Sequence, residues 1–142
     1  FGVLNALQAH AKMSYIEDTT DDSRFVDLPE HSRAPLRACL RCTLLKTFEA
    51  FIDYGCDNCE DLLELRDNQE RVQQCTTTDY IGMVALMHPQ SSWVSKWQRL
   101  QDMKSGFYAI HVTGELPEGI ADRLRDAGAV VRAKPFAEMP KA

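Results

Sequence analysis

Two Cys-x-x-Cys pairs constrain this chain more than anything else in its sequence. Cys39-Leu40-Arg41-Cys42 and Cys56-Asp57-Asn58-Cys59 are separated by thirteen residues. Two residues between cysteines let both sulfurs of a knuckle reach one ion, and two knuckles complete a tetrahedral shell. Repeated at this spacing, the pattern points strongly to zinc. Four sulfur ligands close the shell and leave no position for a catalytic water, so the expected site is structural and its binding energy is folding energy. An iron centre of the rubredoxin type stays open on spacing alone, as does a dithiol redox pair, although the latter has no need of the second knuckle. Four thiolates leave the site net negative, and Arg37, Arg41 and Lys46 lie close enough in sequence to offset it. The fifth cysteine, Cys75, reads either as a reactive thiol or as a small hydrophobe packed on a strand, and the packing reading is favoured. An odd cysteine count without a signal peptide points to a reducing compartment.

The rest of the composition bounds the chain without assigning it. Its 142 residues carry 16 basic and 21 acidic side chains, a net charge of −5. That length suits one domain. Mild acidity argues against a protein that grips nucleic acid mainly through its own charge. No run approaches the ~18 apolar residues of a membrane span. The stretch from Phe1 to Ala11 has neither a basic leader nor a cleavage site, so no secretory signal is expected. Residues 1–35 hold six acids and three bases in polar text and read as an acidic, flexible extension. Residues 36–134 read as the folded, zinc-binding domain, and 135–142 as a flexible tail.

Within that domain, Thr43 to Tyr54 reads as a helix or extended turn with Leu44, Leu45, Phe48 and Phe51 inward, closed by Gly55. Glu60 to Arg66 reads as a short helix. Tyr80 to Met87 is apolar on both alternating sets, which fits a strand central in a sheet or covered by something. Ser92 is a plausible N-cap for a helix from Trp93 to about Leu100. Phe107 to Thr113 alternates as a strand with Tyr108, Ile110 and Val112 on its apolar face. Pro117, Ile120, Leu124 and Gly128 outline a helix from start to stop, and Ala129 to Arg132 reads as a last strand. The expected fold is α+β: N-terminal four-cysteine, zinc ribbon-like knuckles joined to a small, mostly antiparallel sheet flanked by helices.

No catalytic residues are expected. His10, His31, His88 and His111 are scattered, no serine lies in a nucleophile elbow, and no glycine-rich loop cradles a phosphate. Adjacent carboxylates such as Glu60/Asp61 and Asp21/Asp22 read as solvated surface. Trp93, Trp97 and Leu100 share one helical stripe, with Ser95, Gln98 and Arg99 opposite. Two readings follow for the tryptophans: stacking on nucleic acid, with Lys96 and Arg99 on phosphates, or core. The core reading is favoured.

Three longer runs then carry a resemblance: Arg37-Ala38-Cys39-Leu40-Arg41-Cys42, Gly55-Cys56-Asp57-Asn58-Cys59, and Ser92-Trp93-Val94-Ser95-Lys96-Trp97-Gln98-Arg99. With Cys75-Thr76, Gly82 to Met87, Gly106 to Ile110 and Gly114 to Pro117, they resemble the Suppressor-of-Ty-four family, the small zinc-binding subunits of the elongation factor DSIF, over about Leu36 to Arg132. The resemblance implies a nuclear, non-enzymatic subunit with one structural zinc on Cys39, Cys42, Cys56 and Cys59. The implied partner is the large DSIF subunit, bound through its NusG N-terminal-like domain in a heterodimer that clamps over RNA polymerase II and affects processivity, pausing and chromatin function. In the family the small subunit's sheet extends the partner's, and a partner carboxylate meets the helix N-terminus at the serine matching Ser92. Tyr80, Ile81, Gly82, Met83, Val84, Ala85, Leu86 and Met87 are then the expected sheet-edge contact. Nucleic-acid contact by this chain is expected to be weak or indirect; the alternative is a free-standing zinc-ribbon module that binds DNA or RNA directly.

Overall fold

The computed structural model describes residues 35–134; the acidic extension and the tail expected from sequence lie outside them, apart from Pro35. Strand β1 (Leu36–Cys39) carries the first cysteine and turns at Leu40–Thr43 into β2 (Leu45–Thr47). The turn closes through Thr43 N–H to Cys39 O at 2.9 Å and Cys39 N–H to Leu44 O at 3.0 Å. Thr47 then caps α1 (Phe48–Tyr54), its hydroxyl accepting from the Ala50 N–H at 3.2 Å. The segment read as one helix or turn is therefore a strand followed by a helix. β-pairing of Leu45, Lys46 and Thr47 with Ala38, Arg37 and Leu36 overrides the local helical pattern.

Helix α2 (Glu60–Leu63) is shorter than expected, because Glu64 turns left-handed and ends it. A further helix, α3 (Gln69–Cys75), is capped by the Asn68 side chain, which accepts from the Arg71 N–H at 3.1 Å. It runs into β3 (Thr76–Thr77), which pairs antiparallel with β1. Cys75 thus closes a helix rather than sitting on a strand, and it is fully buried, as its packing role required. The three-stranded sheet has the order β2-β1-β3.

The second sheet is the antiparallel pair β4 (Tyr80–Leu86) and β5 (Gly106–Val112), with α4 (Trp93–Gln98) between them in the chain. The Ala109 N–H donates to Thr43 O at 2.9 Å and joins this pair to the first sheet. Helix α5 (Glu118–Asp126) packs Leu124 and Ile120 inward and stops before Gly128, whose φ of 69° is left-handed. Ala129 to Arg132 forms no strand: Val130 and Val131 stay exposed, and the chain instead hydrogen-bonds through Arg132 N–H to Arg41 O and Ala133 N–H to Leu40 O.

Two further expectations reverse. Ile110 lies exposed although Tyr108 and Val112 are buried. Gly82 stands opposite with φ 71°, and a Cβ there would fall 2.9 Å from the Ile110 Cδ1, so Ile110 spreads over the bare glycine instead of entering the core. In α4 Ser95 faces inward, while Trp93 and Trp97 are 71% and 68% exposed; Leu100 is buried as expected, but beyond the helix end, where left-handed Arg99 turns the chain inward. The larger core gathers Leu44, Phe51, Leu63, Leu65, Val72, Leu86, Leu100, Tyr108 and Leu124 around the cysteines; a smaller one holds Ala38, Leu40, Leu45, Ala109 and Val112.

Candidate metal centre and docking strand

Cys39 ends β1, Cys42 sits in the β1–β2 turn, and Cys56 and Cys59 bracket the entry to α2. The second knuckle turns at Gly55 (φ 70°), and a Cβ there would fall 1.9 Å from the Glu60 Oε2. That space is taken because the Glu60 carboxylate reaches back to accept from the N–H groups of Cys56, Leu65 and Arg66 at 3.2, 3.3 and 3.0 Å. Glu60 is thus no idle surface acid; it ties the knuckle to the end of α2.

All four sulfurs lie within 4.8 Å of one another and all four cysteines are buried. Cys42 and Cys56 stand 3.4 Å apart at sulfur. Tetrahedral zinc with bonds of about 2.3 Å needs sulfurs about 3.8 Å apart, so the cluster fits the ion. Bound there, zinc supplies a cross-link between the knuckles. Packing thiols together raises the Cys56 pKa well above the ordinary thiol value; hydrogen bonding with Cys39 leads, followed by Cys42, Cys59 and burial.

Of the three cations offered from sequence, Arg41 meets the cluster directly, donating to the Cys59 Sγ at 3.5 Å. Burial opposes its charge, but that bond and the fields of Cys59, Cys42 and Cys39 prevail and raise its pKa. Lys46 acts one residue away, pairing with Asp57 at 2.8 Å and donating to Gly55 O at 3.3 Å. Arg37 serves elsewhere: it donates to the Thr76 hydroxyl and carbonyl and lies over the Phe48 ring.

Asn58, between the second pair of cysteines, was not singled out from sequence, yet it couples the cluster to β5. Its Nδ2 donates to the Tyr108 hydroxyl at 2.8 Å and approaches the Cys42 Sγ at 3.8 Å, while its Oδ1 accepts from the Lys104 N–H at 2.9 Å. Tyr108 in turn donates to Lys104 O at 2.6 Å, and burial raises its pKa.

The strand expected to dock sorts its side chains cleanly. Tyr80, Val84 and Leu86 turn toward the cores, whereas Ile81, Gly82, Met83, Ala85 and the following Met87 are exposed. β4 pairs with β5 on one edge and is not central in any sheet of the described residues, which corrects one of the two sequence expectations. Ser92 caps α4 as expected, its Oγ accepting from the Ser95 N–H at 3.3 Å; His88 O accepts from the Ser92 N–H, so strand end and helix start are held together.

A closed set of four buried cysteines, holding two knuckles inside a small α+β domain, defines a structural zinc module. The family model described as the Spt4/RpoE2 zinc finger matches residues 36–113. A curated relative from Caenorhabditis elegans, named transcription elongation factor SPT4, is 49% identical over 100 residues, covering 70% of this chain and 82% of that protein. Its namesake from Caenorhabditis briggsae is 44% identical over 98 residues, covering 69% and 82%. The chain belongs to the Spt4/RpoE2 zinc finger family of transcription elongation factors. A crystal structure of an MjSpt4:Spt5 complex in conformation B is 22% identical, with a TM-score of 0.36 over 61% of this chain and 97% of that one. No helix among the described residues is long and apolar enough to cross a membrane.

Proposed function

We propose that this chain is the non-catalytic small subunit of a two-chain transcription elongation factor, with its zinc on Cys39, Cys42, Cys56 and Cys59, and that it docks onto the NusG N-terminal-like domain of a large subunit. Family membership and the names of the relatives support the elongation-factor reading. The observation that carries the docking surface is the uncovered face of β4, where Ile81 and Met83 are 56% and 46% exposed. A strand apolar on both sides but covered on one wants a second layer, and an added sheet edge supplies it. The contact then runs over Tyr80 to Met87 and on to Ser92, where a partner carboxylate meets the start of α4.

Through that partner the factor acts on RNA polymerase II in the nucleus, supporting processive elongation and pausing control. Residues 36–134 form the working domain, with 1–35 an acidic extension and 135–142 a tail. Co-expression with a NusG-like large subunit tests the reading: a stable 1:1 complex is expected. Ser92→Glu should weaken it by repelling the partner's carboxylate while the monomer stays folded. Unchanged affinity of that variant would show the helix-terminus contact to be wrong, and no complex with the unaltered chain would refute the reading as a whole.

A further inference from the structure

An open pocket of about 340 Å³ lies at the end of α4 remote from Ser92, lined by Arg99, Arg132 and Thr43 with Ile110, Val130 and Val131. The last three are exposed, so three β-branched apolar side chains stand wet around one cavity. Single apolar residues on a surface need no explanation, but a cluster of them at a concavity marks a contact. Arg99 is exposed; Arg132 is half-buried, its guanidinium donating to the carbonyls of Gln98 and Arg99. None of the ion pairs found among the described residues engages either guanidinium. Burial lowers the Arg132 pKa against the raising field of Cys42, and the charges of Arg41 and Arg99 lower it further. The neighbouring sequence supplies little counter-charge: residues 127–134 contain no acid, and Asp102 is the sole acid between residues 88 and 104. The pocket suits an occupant that brings carboxylates and apolar side chains together.

The chain itself carries such a segment. Residues 21–28 hold Asp21, Asp22 and Asp27 among Phe25, Val26 and Leu28, against the single base Arg24. The chain enters the domain at Leu36, where β1 begins, and Cys39 O accepts from the N–H of Thr43 at the pocket. Three strand steps cover about 10 Å and the turn adds about 5 Å, which sets the pocket about 15 Å from Leu36. Residues 29–35 span up to about 24 Å when extended, enough to bring residues 21–28 there. We propose that residues 21–28 of the chain's own acidic extension dock in this pocket. Their three carboxylates meet Arg99 and Arg132, and Phe25, Val26 and Leu28 cover Ile110, Val130 and Val131. A short flexible tether gives an effective concentration on the order of 1 mM, so a contact with an intrinsic Kd of about 1 mM fills the pocket half the time. The site stands apart from the cysteine cluster and does not need the exposed face of β4.

Arginine-selective modification of the full, zinc-loaded chain by phenylglyoxal, mapped by mass spectrometry, tests the proposal. The comparison is with the same chain carrying Asp21→Asn, Asp22→Asn and Asp27→Asn together. These substitutions lie in the extension and leave the packing of the domain unaltered. At about 50 mM salt Arg99 should react at least about twofold more slowly in the unaltered chain, as half occupancy or more requires. Arg123, exposed on α5, should react equally in both and serves as the control. Raising the salt to about 0.5 M should narrow the Arg99 difference by screening. Phe25→Ser should also speed Arg99 modification, which charge attraction alone would not produce. Equal Arg99 rates in the unaltered chain and the triple variant at low salt would overturn the proposal, as would an unchanged rate in Phe25→Ser or a difference that salt leaves untouched. So would protection that grows with protein concentration, which would assign the pocket to a second copy of the chain.

Discussion

Removing the metal is the perturbation whose consequence the structure sets most firmly. The four cysteines are not a peripheral clip; they lie among Leu44, Phe51, Leu63, Leu65 and Val72 in the larger core. Structural zinc contributes about 10–16 kcal/mol in zinc-finger peptides at neutral pH. A domain of this kind holds about 5–15 kcal/mol of net stability, so losing the ion removes most or all of it. The chain is therefore treated with a chelator under reducing conditions and followed by near-UV circular dichroism and hydrogen exchange. Tyr108 and the amides of β1, α1 and α2 should lose their fixed environment, and the cooperative melting transition should vanish. Even 1 kcal/mol moves Tm by about 4–8 °C in a domain of this size. A metal-free chain that melts cooperatively at an unchanged Tm would refute the structural role, and two disulfides in place of zinc would refute the site.

Other outcomes follow from single contacts. Asn58→Ala removes the donor to Tyr108 and the acceptor for Lys104, and should cost about 2 kcal/mol in denaturant unfolding, near 1 kcal/mol for each bond. Gly55→Ala places a Cβ against the Glu60 carboxylate at a left-handed φ, and should speed zinc release in a competition assay while Gly119→Ala, in open space, does not. Zinc binds thiolates, so uptake must displace the thiol protons, the one on Cys56 being held by a raised pKa, and apparent affinity should fall as pH drops from 8 to 6. Cys75, buried and pushed up to about 11 chiefly by burial, should resist alkylation in the native chain and react once it is unfolded.

The parts of the molecule that were legible in sequence are those determined by local chemistry. Ligand spacing announced the four cysteines, Gly55 the knuckle turn, and Ser92 the start of α4, because each needs only near neighbours. β1 and β2 were missed because their pairing, Leu36 with Thr47, is invisible to any short window. α3 carried a usable signal, Asn68 ahead of Val72 and Cys75 at i, i+3, that went unread. Trp93, Trp97 and Leu100 share a stripe only if the helix runs on to Leu100; α4 ends at Gln98, left-handed Arg99 (φ 55°) turns Leu100 into the core by itself, and Ser95 takes the inward side of the helix, since large apolar residues are not obliged to be buried. The apolar character of both faces of Tyr80 to Met87 was plain from the start; that its bare face awaits another chain rests on the proposal above.

That face is the most direct test. The affinity of the full, zinc-loaded chain for its NusG-like large subunit should be measured by calorimetry for the unaltered protein and for Met83→Lys. Met83 is half exposed and pairs with Ala109 across the sheet, so the variant should fold and retain zinc. A buried charge at the centre of a contact of about 800 Å² per partner should cost at least about 2 kcal/mol, roughly 30-fold in Kd. A folded Met83→Lys that binds the large subunit with unchanged affinity would contradict the account.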